Sequence, residues 1–263
     1  MLGRLPVQDI SHWQGKFCVV TGVASGIGAA TAALLTSKGA RVLGLDKISE
    51  DDYRSRSTSN KKVTYRSCDL ESPLEIEQAF LNIAGEKLSA LFNVAAMPTH
   101  GLEIRELSVE QWDQVLSVNL RSVFLTIKHA IPLFEANGGG SVLNVSSVHA
   151  FASMKNHAAY AASKGGLNSL TSQLALELNP LRIRVVAVAP GSINTPMTTK
   201  NLANDRELLE KLGFPTDGKS IGHVGKPEEI AEILVWIASP RASFINGTTI
   251  VADAGLLSRL TYE

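Results

Sequence analysis

The sequence lacks an excess of charge of either sign. Its 263 residues include 25 lysine and arginine residues and 25 aspartate and glutamate residues, so the net charge at pH 7 is zero. Proteins that bind DNA, RNA or anionic membranes usually carry a basic patch or a basic overall balance. We therefore expect neither nucleic acid nor a membrane as a partner.

Cysteine and long apolar runs are scarce as well. Cys18 and Cys68 are the only cysteines, and both lie in apolar or strand-like segments. Such usage suits a reducing compartment better than a disulfide scaffold. The first 16 residues lack the apolar core of a signal peptide, and no apolar run reaches the length of about 18 residues that a membrane span needs. These absences predict a cytoplasmic protein.

The signatures of several enzyme classes are missing. The sequence contains no His-Glu-x-x-His, no cysteine pair at metal-ligand spacing, no Gly-x-Ser-x-Gly and no Gly-Lys-Ser/Thr, and its six histidines are scattered. We therefore expect no metal site, and neither a serine hydrolase nor a nucleoside triphosphatase.

What the sequence does contain is an alternation of short apolar runs with longer helical patterns. The runs of strand length lie at 17–21, 41–46, 63–66, 90–94, 141–146, 183–189 and 248–251. Buried strands separated by helices predict a parallel sheet that is covered on both faces. No repeat or linker divides the chain, so we predict a single domain over 1–263, with an N-terminal extension at 1–15 and a substrate loop or lid at 195–222.

A glycine-rich turn follows the first of these strands. The stretch VVTGVASGIGAA places Gly22, Gly26 and Gly28 between the strand and a helical pattern. Such a turn lets a pyrophosphate approach bare backbone N–H groups at the positive end of a helix. The alternative is a turn that needs glycine only for a positive φ.

An acidic residue at the end of the next strand favours the first interpretation. Asp46 lies roughly 20 residues after the glycines, where its carboxylate can accept hydrogen bonds from adenosine ribose hydroxyls. The same carboxylate would repel a 2′-phosphate, although the neighbouring Lys47 weakens that repulsion. The sequence therefore predicts NAD as the cofactor, in preference to NADP.

The spacing Gly-x-x-x-Gly-x-Gly, preceded by Thr21, resembles the classical short-chain dehydrogenase/reductase family. Further stretches resemble motifs of that family in the same order over about residues 15 to 256: CDL at 68–70, FNVAA at 92–96, VNL at 118–120, NVSS at 144–147, YAASK at 160–164 and PGSINT at 190–195. Three residues depart from the family pattern: Val94, Ala96 and Ala254. The resemblance implies a Rossmann-type, doubly wound α/β fold with seven parallel strands.

Hydride transfer to or from a carbon that bears oxygen requires a positioned acid or base. We assign this role to Tyr160. A free phenol has a pKa near 10, and lowering it by about three units requires roughly 4 kcal/mol of differential stabilisation. Lys164 lies four residues further along the same helical face, where its cation favours the phenolate. The alternative is a tyrosine and a lysine on an ordinary helix surface.

Two further residues complete the catalytic set that the resemblance implies. Ser147 would hydrogen-bond the substrate oxygen, and Asn119 would order a water near Lys164. A buried amide in an apolar helix also fits a satisfied core residue, so that alternative for Asn119 stays open.

The resemblance also implies contacts to the cofactor. In this family Thr195 would bind a phosphate or the carboxamide, Ile193 would press on the nicotinamide, and the lysine would hold the nicotinamide ribose. The expected cofactor-binding residues are Gly22, Ser25, Gly26, Ile27, Gly28, Asp46, Asp69, Leu70, Asn93, Ala95, Tyr160, Lys164, Pro190, Gly191, Ile193 and Thr195.

The substrate is less well defined. Residues beside the catalytic positions should form its pocket. The expected substrate-binding residues are Met97, Ser147, His149, His157, Tyr160 and Met197. The order Ser-Val-His resembles 3-hydroxybutyrate and some sugar dehydrogenases of the family, but His157 fits a helix start equally well. A hydroxy acid, a polyol and a cyclic or aromatic alcohol all remain open.

These features predict an NAD-dependent oxidoreductase that transfers a hydride between nicotinamide and a secondary alcohol or ketone of a small molecule. Two alternatives are a nicotinamide-binding sensor or scaffold and a redox-neutral epimerase or dehydratase with bound NAD. Family members often form dimers or tetramers, so we expect a homo-oligomer. The leucines of 167–178 would suit such packing, or simply a buried face of the monomer.

Overall fold

The computed structural model describes residues 12–56, 62–98, 100–198 and 222–258. Each expected strand is present in these ranges, with bounds that differ from the expected ones by at most two residues. The strands are β1 Phe17–Thr21, β2 Arg41–Asp46, β3 Thr64–Ser67, β4 Leu88–Asn93, β5 Gly140–Val145, β6 Ile183–Pro190 and β7 Thr249–Ala252. They form one parallel sheet in the order β3-β2-β1-β4-β5-β6-β7. The prediction of a Rossmann-type sheet is confirmed.

Helices connect the strands. They are α1 Gly26–Ser37, α2 Glu50–Arg56, α3 Pro73–Leu81, α4 Val109–Leu116, α5 Ser122–Asn137, α6 Ala158–Glu177, the single turn α7 Pro196–Thr198, and α8 Pro227–Ala238. A π-helical turn at Ser117–Arg121 joins α4 to α5 and contains Asn119. In the described ranges, no helix combines the length and the apolar character needed to cross a membrane.

The sheet is covered on both faces, because successive strand residues point to opposite sides. On one face, Val20 packs in a cluster with residues of α1 and α8, such as Leu35 and Leu234. On the other face, Val19 and Leu91 pack with residues of α3, α5 and α6. The near-continuous apolar character of the strands follows from this two-sided burial.

The strand order changes direction between β1 and β4, and ligands of open α/β sheets bind beside such a switch point. Here the hydroxyl of Thr21 accepts hydrogen bonds from the backbone N–H groups of Val94 and Ala95, at 3.0 and 3.1 Å. The two strand ends are thereby held together where a cleft opens.

A chain of polar side chains crosses the core behind this cleft. The amide of Asn93 donates to Asn144 at 2.9 Å and accepts from Thr126 at 2.8 Å, and the amide of Asn144 donates to Thr171 at 2.9 Å. All four side chains are buried. The side chain of Asn93, which the resemblance assigns to the cofactor, is thus engaged in holding β4 to β5 and α5.

One departure from the family pattern has a backbone consequence. Ala254 has a φ of +52°, in the left-handed region that side chains with a Cβ seldom adopt. Its carbonyl accepts a hydrogen bond from Gly222 at 2.7 Å, so the conformation is part of a tertiary contact.

Ala254→Gly should therefore stabilise the protein. The left-handed conformation costs alanine about 1–2 kcal/mol, whereas the greater freedom of glycine in the unfolded chain costs roughly 0.5–1 kcal/mol. We expect a gain of about 0.5–1 kcal/mol in the free energy of unfolding, measured by chemical denaturation. Ala252→Gly, in β7, is the control and should lower stability, and a loss in both variants would contradict the argument.

Candidate active site

A cavity of about 820 Å³ opens at the carboxyl edge of the sheet, beside the switch point. Nearly all of the expected cofactor-binding residues line it: Gly22, Ser25, Gly26, Ile27, Gly28, Asp46, Asp69, Leu70, Ala95, Tyr160, Lys164, Pro190, Gly191, Ile193 and Thr195. Asn93 does not, because its side chain lies in the polar chain behind the wall. The volume is within the range of ligand and cofactor sites.

The glycine turn brings backbone against backbone at one end of the cavity. A Cβ on Gly28 would lie 2.0 Å from the carbonyl oxygen of Gly22, and a Cβ on Gly22 would lie 2.8 Å from the Cα of Ala95. Ser25 precedes α1 without a side-chain hydrogen bond to the helix end. The first N–H groups of α1 are therefore open to an anion at the positive end of the helix, as a pyrophosphate requires.

Asp46 stands at the next position along the cavity. Its carboxylate accepts hydrogen bonds from the backbone N–H groups of Ala24 at 3.0 Å and Lys47 at 2.8 Å, which fix its orientation. Lys47, the next residue, and Arg56 also line the cavity. Sequence reasoning missed Arg56, because only the fold brings the end of α2 back to this site.

Lys164 is the most deeply buried charge-bearing residue of the cavity wall. Only 1% of it is exposed. Its ammonium donates to the carbonyl of Val145 at 2.8 Å and lies 5.6 Å from the centroid of the Tyr160 ring. Burial lowers the pKa of Lys164 to about 7, because the charged form loses its water. The residue is thus not part of an ordinary helix surface.

Tyr160 and Ser147 meet Lys164 at the same end of the cavity. Burial raises the pKa of Tyr160, while a hydrogen bond with Ser147 acts in the opposite direction. Ser147 lies directly beyond β5, and its Oγ accepts a hydrogen bond from the backbone N–H of His149 at 3.2 Å. The strand and α6 therefore place a hydroxyl, a phenol and an ammonium beside one another.

Asn119 connects two walls of the site. Its side chain is buried, accepts from the N–H of Met97 at 2.7 Å, and donates to the carbonyl of Met97 at 3.0 Å and to Ser163 at 3.2 Å. Ser163 in turn donates to the carbonyl of Tyr160 at 2.7 Å. The amide is satisfied, as one of the two alternatives predicts, and it ties the loop after β4 to α6.

The expected substrate-binding residues divide into two groups. Met97, Ser147, Tyr160 and Met197 line the cavity. His149 and His157 do not line it in the described ranges, although both lie close to Tyr160. Of the expected lid, only 195–198 and 222 are described, and the rest of 195–222 lies outside the described residues, as does most of the expected extension at 1–15.

Lys164→Met should stabilise the protein, because the buried ammonium costs free energy that a methionine of similar shape does not. We expect a rise in Tm of roughly 5 °C at pH 7, from about 2 kcal/mol. Lys164 is charged in the folded and the unfolded protein below pH 7, and it is neutral in both above about pH 10.5. The gain in stability of the methionine variant over wild type should therefore shrink as the pH rises between these values. Thermal unfolding from pH 6 to 10 measures this, and the exposed Lys128→Met should show no such gain.

Comparisons with known proteins agree with this geometry. A family model described as enoyl-(acyl carrier protein) reductase matches residues 22–257. A 3-oxoacyl-[acyl-carrier-protein] reductase of Thermotoga maritima is 35% identical over 252 residues, which cover 93% of this chain and 98% of the relative. A 2,5-dichloro-2,5-cyclohexadiene-1,4-diol dehydrogenase of Sphingobium indicum is 33% identical over 251 residues, which cover 94% of this chain and 98% of the relative.

A solved structure of a 3-ketoacyl-(acyl-carrier-protein) reductase from Brucella melitensis, complexed with NADH, matches with a TM-score of 0.81 at 30% identity. The match covers 92% of this chain and 98% of that one. These similarities extend over nearly the whole described fold, including the cavity. The chain belongs to the short-chain dehydrogenase/reductase family, and it is an NAD(P)-dependent dehydrogenase or reductase that acts on CH–OH groups.

Proposed function

We propose that this protein uses NAD, in preference to NADP, to oxidise a secondary alcohol or reduce the corresponding ketone of a small organic molecule. The observation that carries the proposal is that Tyr160, hydrogen-bonded to Ser147, has its ring centroid 5.6 Å from the buried ammonium of Lys164, and that all three residues line one cavity.

Bound nicotinamide supplies or accepts the hydride. Tyr160 takes the proton from the substrate hydroxyl during oxidation and returns it to the carbonyl oxygen during reduction. The phenolate that oxidation requires is stabilised by the Lys164 cation, and the cation is stabilised in return, because each charge relieves the unfavourable burial of the other. Ser147 donates a hydrogen bond to the substrate oxygen as charge develops on it.

The preference for NAD rests on the carboxylate of Asp46. Two backbone N–H groups hold it at the cavity wall, where it can accept from both adenosine ribose hydroxyls and would repel a 2′-phosphate. Lys47 and Arg56 lie at the same end and reduce that repulsion. We therefore propose a preference for NAD rather than exclusion of NADP.

The walls near Ser147 and Tyr160 favour a substrate without charge. They are formed by apolar residues from four segments of the chain: Met97, Pro98, Val118, Ile193, Pro196 and Met197. Lys164 is already committed to Tyr160, and the described part of this end offers no second cation to a carboxylate. A cyclic alcohol fits these walls better than a hydroxy acid, and the Sphingobium relative acts on a cyclic diol by its name.

We further propose a cytoplasmic homo-oligomer, a dimer or a tetramer. Cys18 and Cys68 are free and buried, as expected in a reducing compartment. A groove of about 770 Å³ runs between α4, α5 and α6 and includes Leu120, Phe124 and Leu170. An apolar groove on long helices suits packing against a second copy.

Residues 195–222 are proposed to form the substrate loop of the single domain.

Asp46→Ala should narrow the difference between the two cofactors. We expect wild type to bind NADH at least about tenfold more tightly than NADPH, and the variant to lose most of that factor, because the repelling carboxylate is gone. Calorimetric titration of both dinucleotides measures the ratio. Asp51→Ala, which removes an exposed carboxylate of α2 outside the cavity, is the control, and an equal change in both variants would show a general charge effect.

Tyr160→Phe should strongly reduce turnover while leaving cofactor binding in place. General acid–base catalysis contributes about 10²- to 10⁴-fold, so kcat should fall by at least about 100-fold on whichever cyclic alcohol or polyol reduces NAD⁺ in a spectrophotometric screen. Tyr53→Phe removes a buried hydroxyl on α2, away from the cavity, and should keep its turnover.

Binding of NADH without turnover of any substrate in wild type would favour the sensor. Conversion of substrate without exchange with free NADH would favour the epimerase or dehydratase.

A further inference from the structure

The segment between Ser147 and α6 has little apolar core of its own. Residues 151–156 are exposed, including Phe151 and Met154 at 55% and 49%. The half-buried rings of His149 and His157 instead stack on each other, with centroids 4.6 Å apart and planes within 3° of parallel. The stacked imidazoles are therefore a packing contact within this exposed segment.

Hydrogen bonds orient both rings. The Nδ1 atom of His157 is 2.7 Å from the carbonyl oxygen of Lys155, and because a carbonyl only accepts, this nitrogen carries a proton. The Nδ1 atom of His149 is 3.0 Å from the hydroxyl of Ser153. Each ring is thus held by a residue of the same loop, and the stack and the loop stabilise each other.

His149 contacts both of the groups proposed to act on the substrate oxygen. Its backbone N–H donates to Ser147, and its ring meets the ring of Tyr160 edge to face, with centroids 5.7 Å apart and planes at 84°. Edge-to-face contacts of this kind are favourable and have a defined geometry. His149 is not among the described residues that line the cavity, so we expect it to act on the reaction through these two neighbours.

We propose that His149, supported from behind by His157, is a positioning residue that fixes the ring of Tyr160 for proton transfer and limits the access of water to its phenol. This inference rests on the proposed role of Tyr160 and extends it. Burial, and then the neighbouring His157, lower the pKa of His149 to about 4, so that His149 carries no charge at neutral pH that would compete with Lys164 for the phenolate.

Two variants test the ring of His149 and its polarity separately. His149→Phe keeps a flat ring that can stack on His157 and contact Tyr160, whereas His149→Asn keeps polarity and loses the ring. Both variants keep the backbone N–H that donates to Ser147. We expect the Phe variant to retain kcat within about threefold. The Asn variant should lose about tenfold or more in kcat, at an unchanged KM for NAD⁺, because a small misplacement of a catalytic group is costly.

A second measurement does not depend on turnover. Ultraviolet difference titration against a Tyr160→Phe background isolates the ionisation of Tyr160 in the full-length protein. Burial raises the pKa of Tyr160, so the Asn variant should ionise at lower pH as water reaches the phenol, and the Phe variant should titrate as wild type does. This titration tests the inference even if no substrate is found. Failure to find a substrate would count against the proposed function and not against the positioning role of His149.

Two results would overturn the inference. Retention of kcat and of the Tyr160 titration in the Asn variant would show that the ring is not needed. Loss of kcat/KM in the Phe variant, confined to substrates with a second polar group, would make His149 a substrate-binding residue instead. Met154→Ala, at an exposed position of the same loop, is the control for general disturbance of the loop and should match wild type in both measurements.

Discussion

The burial of one ammonium group, that of Lys164, is the constraint around which the active site is organised. The fall of its pKa from 10.5 to about 7 corresponds to roughly 5 kcal/mol against the charged form. Within the described residues, the ammonium donates a hydrogen bond to the carbonyl of Val145 and lies over the face of the Tyr160 ring. In the proposed function, a phenolate at Tyr160 and the ribose hydroxyls of the cofactor would stabilise this ammonium further. On that proposal, the protein loses stability at the position where binding and proton transfer need a cation.

The geometry around this lysine also couples the two sides of the substrate pocket. Asn119 binds both backbone groups of Met97 and, through Ser163, the backbone of Tyr160. A shift of the loop after β4 would therefore disturb hydrogen bonds that end on the helix carrying the proposed acid. Asn119 lies in the π-helical turn at Ser117–Arg121, and such turns often occur at functional sites.

The strands and the position of the site could be predicted from the sequence, whereas the contacts that several polar side chains make could not. Apolar runs determine which segments are buried, and parallel strands bring their carboxyl ends to one edge, so Asp46, Ser147 and the glycine turn had to meet there. The sequence around Asn93 does not indicate whether its amide faces a ligand or another strand, because either partner would satisfy its hydrogen bonds. The return of Arg56 to the cavity and the stacking of His149 are likewise products of how helices and loops pack.

The polar chain behind the cavity determines the alignment of the central strands. A parallel pair of apolar strands can slide by one residue with little change in hydrophobic burial, since both faces of this sheet are apolar. Such a slip between β4 and β5 would separate Asn93 from Asn144 and leave the buried amide groups of both without this hydrogen bond. These polar side chains therefore fix the register of β4 against β5. Because Ser147 follows Asn144 by three residues, the same register determines how far the serine hydroxyl extends into the cleft.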